Sequence, residues 1–219
     1  MKRAFGAILP PACVACHARL PAAEPVAFCP DCYAKLPWWD KTGVLPPQLP
    51  AGVSGFAAPF LYEGLLREVI LQWKFADHPQ YSAALARLMV DRLPKEGLLV
   101  PVPLHPKKLR VRTYNHAALL VQALGKMSGL EVDVLSLRKV RDGGFQAAKT
   151  RAQRQKLSGA DFVALPAVAG EHVILVDDIF TTGATVRACA LALRRAGAAS
   201  VVVRTLCYTA PGRDLSALR

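Results

Sequence analysis

Short apolar runs, which are typical of strands, alternate along the chain with stretches where apolar residues recur every three or four positions, as on one helix face. The helical pattern is clearest at Leu66, Val69, Ile70 and Trp73. The patterns predict strands at residues 56–62, 98–102, 132–135, 173–176 and 200–207, and helices at 65–75, 81–93, 113–128 and 185–196. This alternation predicts an α/β fold, a parallel sheet flanked by helices, with ligands bound beyond the carboxyl ends of the strands.

Length and composition agree with such a fold. The chain has 219 residues, of which 53% are hydrophobic, so it can bury a substantial core. The apolar runs are too short to span a membrane, and the first of them, at residues 4–9, is too short for a secretory signal. We therefore expect a cytoplasmic protein with no membrane span.

Four of the six cysteines form two C-x-x-C pairs near the start of the chain: Cys13 with Cys16, and Cys29 with Cys32. Four thiolates at this spacing can surround a tetrahedral ion, and zinc is the usual occupant in a reducing cytosol. A closed site of four sulfurs has a structural role. Disulfides and an iron–sulfur cluster are the alternatives; the first fits a cytoplasmic chain poorly and the second needs a redox role.

The cysteine pairs divide the chain into parts. We predict a small N-terminal zinc-binding module at residues 1–40, a linker rich in Pro and Gly at 41–55, and the main domain at 56–219. Trp38 and Trp39 are expected to pack the small module against the main domain, because a module this short has little core of its own. The two remaining cysteines, Cys189 and Cys207, are interpreted as core thiols.

The most informative segment is V-I-L-V-D-D-I-F-T-T-G-A-T at residues 173–185. Its apolar strand is expected to end at Asp177 and Asp178, which are placed to hold ribose hydroxyls. The loop that follows should open a helix, whose N-terminus stabilises a phosphate through backbone N–H groups and the helix dipole. The alternative is a strand exit with an ordinary helix cap. The predicted phosphate-binding residues are Thr181, Thr182, Gly183, Ala184 and Thr185.

Positive charge is concentrated in one segment. The chain has a formal net charge of +12, and residues 105–156 hold twelve basic residues against three acidic ones, a net of +9. Clustered guanidinium and ammonium groups suit a polyanionic ligand, either a diphosphate or a nucleic-acid backbone. The alternative is a solvated basic face that aids solubility.

The acidic segment is similar to the 5-phosphoribosyl-1-diphosphate (PRPP) signature of type I phosphoribosyltransferases. The resemblance implies a Rossmann-like sheet of that fold and a Mg²⁺-PRPP ligand. In those proteins the diphosphate is held by a loop in the position of P-V-P-L-H-P-K-K-L-R-V-R-T-Y-N-H, at residues 101–116. The candidate diphosphate contacts are Leu104, His105, Lys107, Arg110 and Arg112; for His105 a structural role is equally open.

Several motifs together resemble the ComF family. These are P-V-P-L-H with R-x-R-T-Y-N-H, the cysteine pairs, P-F-L-Y-E-G with W-K-F, and V-D-D-I-F-T-T-G-A-T. The family consists of phosphoribosyltransferase-like proteins linked to competence for DNA uptake, with a gluconate-utilisation branch called GntX. The resemblance covers nearly the whole chain. It further implies that residues 138–156 resemble a hood that closes over PRPP, with Arg151 and Arg154 facing the phosphates.

Two hypotheses for function follow. In the first, the protein is a phosphoribosyltransferase in which Asp177 and Asp178 hold the ribose, directly or through a metal, while Mg²⁺ and basic residues offset the diphosphate charge. In the second, it is a non-catalytic DNA-uptake component that keeps a sugar-phosphate pocket. Its basic segment would then bind single-stranded DNA, and its cysteine module would dock a competence helicase.

Overall fold

The computed structural model describes residues 12–21, 27–76, 78–105, 109–110, 114–140 and 161–210. Within them the strands are β1 (Gly55–Ala57), β2 (Phe60–Leu61), β3 (Leu98–Pro101), β4 (Leu137–Lys139), β5 (Phe162–Ala164), β6 (His172–Phe180) and β7 (Ser200–Tyr208). The α-helices are α1 (Pro30–Ala34), α2 (Gly64–Phe75), α3 (Tyr81–Arg87), α4 (His116–Ser128) and α5 (Ala184–Arg195). Short 3-10 turns lie at Trp39–Lys41, Val90–Arg92 and Pro166–Val168.

The main sheet is parallel and has the order β1-β7-β6-β3, with β2 also paired to β7. Its central strands are long apolar runs, as expected of a sheet covered on both faces. The antiparallel pair β4 and β5 forms a separate two-stranded sheet. The predicted parallel sheet flanked by helices is confirmed.

Side chains of β6 alternate between two apolar clusters. Ile174 and Val176 join the cluster that contains the buried faces of α2, α3 and α4, whereas Val173 and Leu175 join the cluster that contains α5. Because successive strand residues point to opposite faces, helices cover both faces of the sheet. No helix in the described part of the chain is long and apolar enough to cross a membrane.

The cysteine module packs directly on the sheet. Cys13 and Leu36 belong to the same apolar cluster as Phe60. The ring centroid of Trp38 lies 4.6 Å from that of Phe60. The backbone N–H of Leu61 donates to the carbonyl of Pro37 at 2.9 Å. These contacts confirm the predicted packing of the tryptophans, while the three predicted domain boundaries stay a prediction.

Several predicted elements differ in the structure. The strand predicted at 56–62 is divided into β1 and β2, with Ala58 and Pro59 between them. The strand at 132–135 is wrong: only Val132 bridges to Leu99, because the Asp133 carboxylate accepts the N–H groups of Leu135 and Ser136 at 2.8 and 2.9 Å and folds the chain into a turn.

The predicted helix at 81–93 is divided. Helix α3 ends at Arg87, where the N–H groups of Leu88 and Met89 donate to carbonyls three residues back, and a 3-10 turn follows.

Candidate functional site at the carboxyl edge of the sheet

The two aspartates lie inside β6, not after its end. The strand continues to Phe180, with Asp177 opposite Thr205 of β7, so the prediction that the strand ends at the carboxylates is wrong. Parallel pairing with β7 carries the strand four residues further than its apolar run. The adjacent strand β3 ends at Pro101, opposite Val176. The backbone N–H of Val102 then donates to the Val176 carbonyl at 2.8 Å. The carboxylates therefore lie at the edge where β3 leaves the sheet.

The two carboxylates belong to opposite faces of the sheet. Asp178 faces α2, where its Oδ2 lies 2.7 Å from Nζ of Lys74; these side chains are only 14% and 9% exposed. Asp177 lies towards α5, on the face of Val173 and Leu175; the alternation breaks after Asp178, because Ile179 joins the cluster of α2 and Phe180 that of α5. There, burial and then the nearby charge of Asp177 raise the pKa of Cys189 in α5. Adjacent residues in sequence thus have different surroundings.

The environment of Asp177 disfavours its charge. Burial and the charge of Asp178 raise the pKa of Asp177 to about 8, although Lys74 and the N–H of Asp178 act in the opposite direction. That N–H donates to Oδ1 of Asp177 at 2.9 Å. A neutral carboxyl can exchange hydrogen bonds with a hydroxyl as it is, whereas binding a cation requires it to lose its proton.

The predicted phosphate loop turns from β6 into α5. Gly183 is the N-cap of α5 with φ of 71°, a left-handed conformation that favours glycine. A Cβ at this position would lie 2.8 Å from Cζ of Phe180 and 2.9 Å from Cγ of Pro50. Ala184 and Thr185 are already in the first turn of α5 and not in the loop, so their N–H groups belong to a helix N-terminus.

Of the predicted diphosphate contacts, Leu104 and His105 follow β3 directly and are half-buried at the same edge as the aspartates. Arg110 is exposed. Asn115 closes this loop: it caps α4 by accepting the Ala117 N–H at 3.1 Å and donates from Nδ2 to the Val102 carbonyl at 3.0 Å. Four predicted contacts lie outside the described residues: Lys107, Arg112, Arg151 and Arg154.

Sequence reasoning missed two residues beside Asp178. One is Lys74, the middle residue of W-K-F. The other is Tyr62 of P-F-L-Y-E-G, whose buried hydroxyl has no hydrogen-bond partner among the described residues and whose pKa is raised, chiefly by burial, to about 12. Both residues belong to motifs that support the resemblance to the ComF family, and those motifs were the signal in the sequence that could have identified them as site residues.

The four N-terminal cysteines converge. Their sulfur atoms all lie within 4.8 Å of one another, and Sγ of Cys16 is 3.7 Å from Sγ of Cys29. Zn–S bonds of about 2.3 Å in a tetrahedron require sulfurs about 3.8 Å apart. The Cys29 N–H donates to Sγ of Cys13 at 3.3 Å, and such bonds stabilise a thiolate. The group could hold a structural zinc ion. The two other cysteines, Cys189 and Cys207, are fully buried, as predicted.

Comparisons with known proteins agree with this geometry. Residues 114–216 match the phosphoribosyl transferase domain family. DNA utilization protein YhgH of Salmonella typhimurium is 34% identical over 200 residues, which cover 87% of this chain and 82% of that protein. Competence protein ComFC of Streptococcus pneumoniae is 29% identical over 175 residues, covering 79% of this chain and 71% of that one.

Among solved structures, the glutamine PRPP amidotransferase of B. subtilis in complex with ADP and GMP aligns with a TM-score of 0.44 at 21% identity, over 62% of this chain and 30% of that chain. The identity and coverage of the sequence relatives, together with the phosphoribosyl transferase match and the cysteine group, show that the chain belongs to the ComF family of phosphoribosyltransferase-like proteins.

Proposed function

We propose that the protein binds Mg²⁺-PRPP, or a related sugar phosphate, at the carboxyl edge of its sheet. The observation that carries the proposal is the β6 exit, where the half-buried Asp177, a left-handed Gly183 and the N-terminus of α5 follow one another within eight residues. A helix N-terminus of this kind favours a phosphate monoester, and a carboxylate in the strand before it can bond to ribose hydroxyls.

Each part of the ligand has a candidate partner. The 5-phosphate would meet the N–H groups of Thr182, Gly183 and the first turn of α5. The ribose hydroxyls would meet Asp177. The diphosphate would lie towards His105 and the basic residues that follow β3, with Arg151 and Arg154 closing over it.

Magnesium would accompany the diphosphate and supply charge neutralisation. Carboxylate oxygens are ligands that Mg²⁺ prefers, and Asp177 offers such a group. Asp178 fits less well, because the ammonium nitrogen of Lys74 already lies 2.7 Å from its Oδ2.

Binding of PRPP and transfer of its ribose to an acceptor are separate activities. Release of diphosphate in the presence of a panel of nucleobases tests transfer.

A thermal-shift titration with Mg²⁺-PRPP tests binding. A ligand that binds only the folded state stabilises it by about 2.7 kcal/mol at one hundred dissociation constants. The parent should show this concentration-dependent shift, and Asp177→Asn should lose most of it. Asp91→Asn, an exposed aspartate on a 3-10 turn, is the matched control and should behave as the parent. No shift in the parent at saturating ligand contradicts the proposal.

We also propose a role in DNA uptake, in the cytoplasm, with direct binding of single-stranded DNA as a second candidate activity. Two observations favour it: relatives named for competence and DNA utilization, and the net charge of +9 at residues 105–156. Affinity for a labelled oligonucleotide should fall steeply with added salt, since binding releases counterions. No binding at low salt contradicts this activity.

A competence helicase docked on the cysteine module is tested by co-purification with and without the Cys16→Ser substitution.

A further inference from the structure

The ion pair between Lys74 and Asp178 is nearly buried. Nζ of Lys74 lies 2.7 Å from Oδ2 of Asp178, and the exposed fractions of the two side chains are 9% and 14%. In the pair between Arg92 and Asp40, by contrast, the atoms are 3.5 Å apart and the side chains are about half exposed. An exposed pair contributes little, whereas a nearly buried pair leaves an uncompensated charge when one partner is removed.

Lys74 is held in place by its neighbour in α2. Trp73 is fully buried, and its indole N–H donates to Oγ of Ser82 at 3.0 Å. Its carbonyl accepts from Nε2 of His116 at 3.1 Å, at the start of α4. The last turn of α2 is therefore fixed against α3 and α4, and the Lys74 side chain reaches β6 from a rigid position.

The ion pair leaves part of the Asp178 carboxylate available. A carboxylate has two oxygens that accept hydrogen bonds, and Lys74 meets only Oδ2. No hydrogen bond from a described residue reaches Oδ1. The hydroxyl of Tyr62, which is also beside Asp178, is buried and bonds to no described residue. Lys74 is therefore the described side chain that holds this carboxylate, and Oδ1 can accept a hydrogen bond from a ligand.

Both faces of β6 border the carboxyl edge of the sheet. Strand β3 pairs with β6 only as far as Pro101 and Val176, and no described strand pairs with that side of β6 from Asp177 onward. A ligand that lies beyond β3 can therefore meet a side chain of the α2 face, Asp178, as well as Asp177. A carboxylate that is already paired with an ammonium suits the neutral hydroxyl of a ribose better than a second cation.

We infer that Lys74 is a positioning residue: by holding Oδ2 of Asp178 it turns Oδ1 towards the ligand, so that Asp178 joins Asp177 in binding the ribose hydroxyls. This inference rests on the proposed function of the site. Lys74 touches neither the ribose nor the phosphate, and its effect on binding passes through Asp178. Without the ammonium, a nearly buried carboxylate beside a second carboxylate lacks its counter-charge, and rotation towards solvent takes it away from the hydroxyls.

Calorimetric titration of the full chain with two ligands tests the inference. One is ribose 5-phosphate; the other is tetrahydrofurfuryl phosphate, which has the same ring and phosphate but lacks the ring hydroxyls. The ratio of the two affinities measures the preference for the hydroxyls. Lys74→Met should lower this ratio about tenfold, as expected from the loss of one hydrogen bond to a charged group. Lys126→Met removes the same charge from the exposed last turn of α4 and should keep the ratio of the parent.

Asp178→Asn and the double variant separate positioning from direct contact. Asp178→Asn should also lower the ratio about tenfold. Replacing Lys74 by Met in the Asp178→Asn background should then change the ratio by less than about twofold, because Lys74 acts through the carboxylate. This second comparison decides the question even if Lys74→Met alone does not fold, since the double variant has no unpaired charge at the pair.

Three results would overturn the inference. Lys74→Met could weaken both ligands alike and leave the ratio unchanged, which shows an effect on the phosphate. It could weaken neither ligand. The losses in Lys74→Met and Asp178→Asn could add in the double variant, which shows that Lys74 meets the ribose itself.

The parent separates failure of the inference from failure of the proposed function. If the parent does not prefer ribose 5-phosphate to tetrahydrofurfuryl phosphate, the proposed function fails together with the inference. If the parent shows the preference and Lys74→Met keeps it, the proposed function stands and the inference alone is overturned.

Discussion

Replacing Gly183 by alanine tests the phosphate loop most sharply. The residue has φ of 71°, and a non-glycine residue in that conformation costs about 1–2 kcal/mol. The added Cβ would also lie 2.8 Å from Phe180 and 2.9 Å from Pro50. The Phe180 ring is buried and packs 4.6 Å from the ring of Phe56, so it has little room to yield. Relieving such crowding costs about 1–3 kcal/mol.

The free energy of unfolding of Gly183→Ala should therefore fall by about 2–5 kcal/mol in urea denaturation. Gly129→Ala is the matched control: this glycine has φ of 76° at the end of α4, with nothing within 4 Å of the added Cβ. It should lose only the conformational part, about 1–2 kcal/mol. Affinity for ribose 5-phosphate should drop in the first variant and stay unchanged in the second. Equal destabilisation by both substitutions, or unchanged affinity in Gly183→Ala, refutes the reasoning.

Three further outcomes are expected. The free energy of unfolding should fall as pH rises from about 4 to about 8, because in that window folded Asp177, with its raised pKa, keeps a proton that the unfolded chain releases; Asp177→Asn should lack this component. Zinc bound per chain, measured by atomic absorption, should fall in Cys16→Ser and stay at one in Cys207→Ala; equal contents contradict the cysteine site. Asn115→Ala should lower the free energy of unfolding by about 1 kcal/mol, because α4 loses its N-cap. Asn115→Asp should lower it less, because the carboxylate keeps the acceptor for Ala117 and loses only the donor to Val102. Equal losses in the two variants exclude the cap as the cause.

Periodicity predicted the order of strands and helices because the central strands are buried on both faces and the helices present one apolar face. It failed where polar side chains decide the backbone. The Asp133 carboxylate turns the chain where apolar alternation favoured a strand. Pairing with β7 extends β6 through two charged residues that the apolar pattern excludes.

The site was predictable where its residues are close in sequence. The aspartates and the Gly183 loop are within one segment, and the cysteines follow a metal-ligand spacing. Lys74 was not predicted as a site residue, because it lies 104 positions from its partner and its contact depends on how α2 packs on the sheet. The separation of Asp177 and Asp178 onto two faces also needed the observed strand, since the sequence had placed them after its end.

A crystal structure of the protein with Mg²⁺-PRPP tests the central claim most directly. The 5-phosphate should lie against the backbone N–H groups of Thr182 and Gly183 and the first turn of α5, with the ribose hydroxyls on Asp177. PRPP bound elsewhere on the chain, or a 5-phosphate that does not touch the N-terminus of α5, would contradict it.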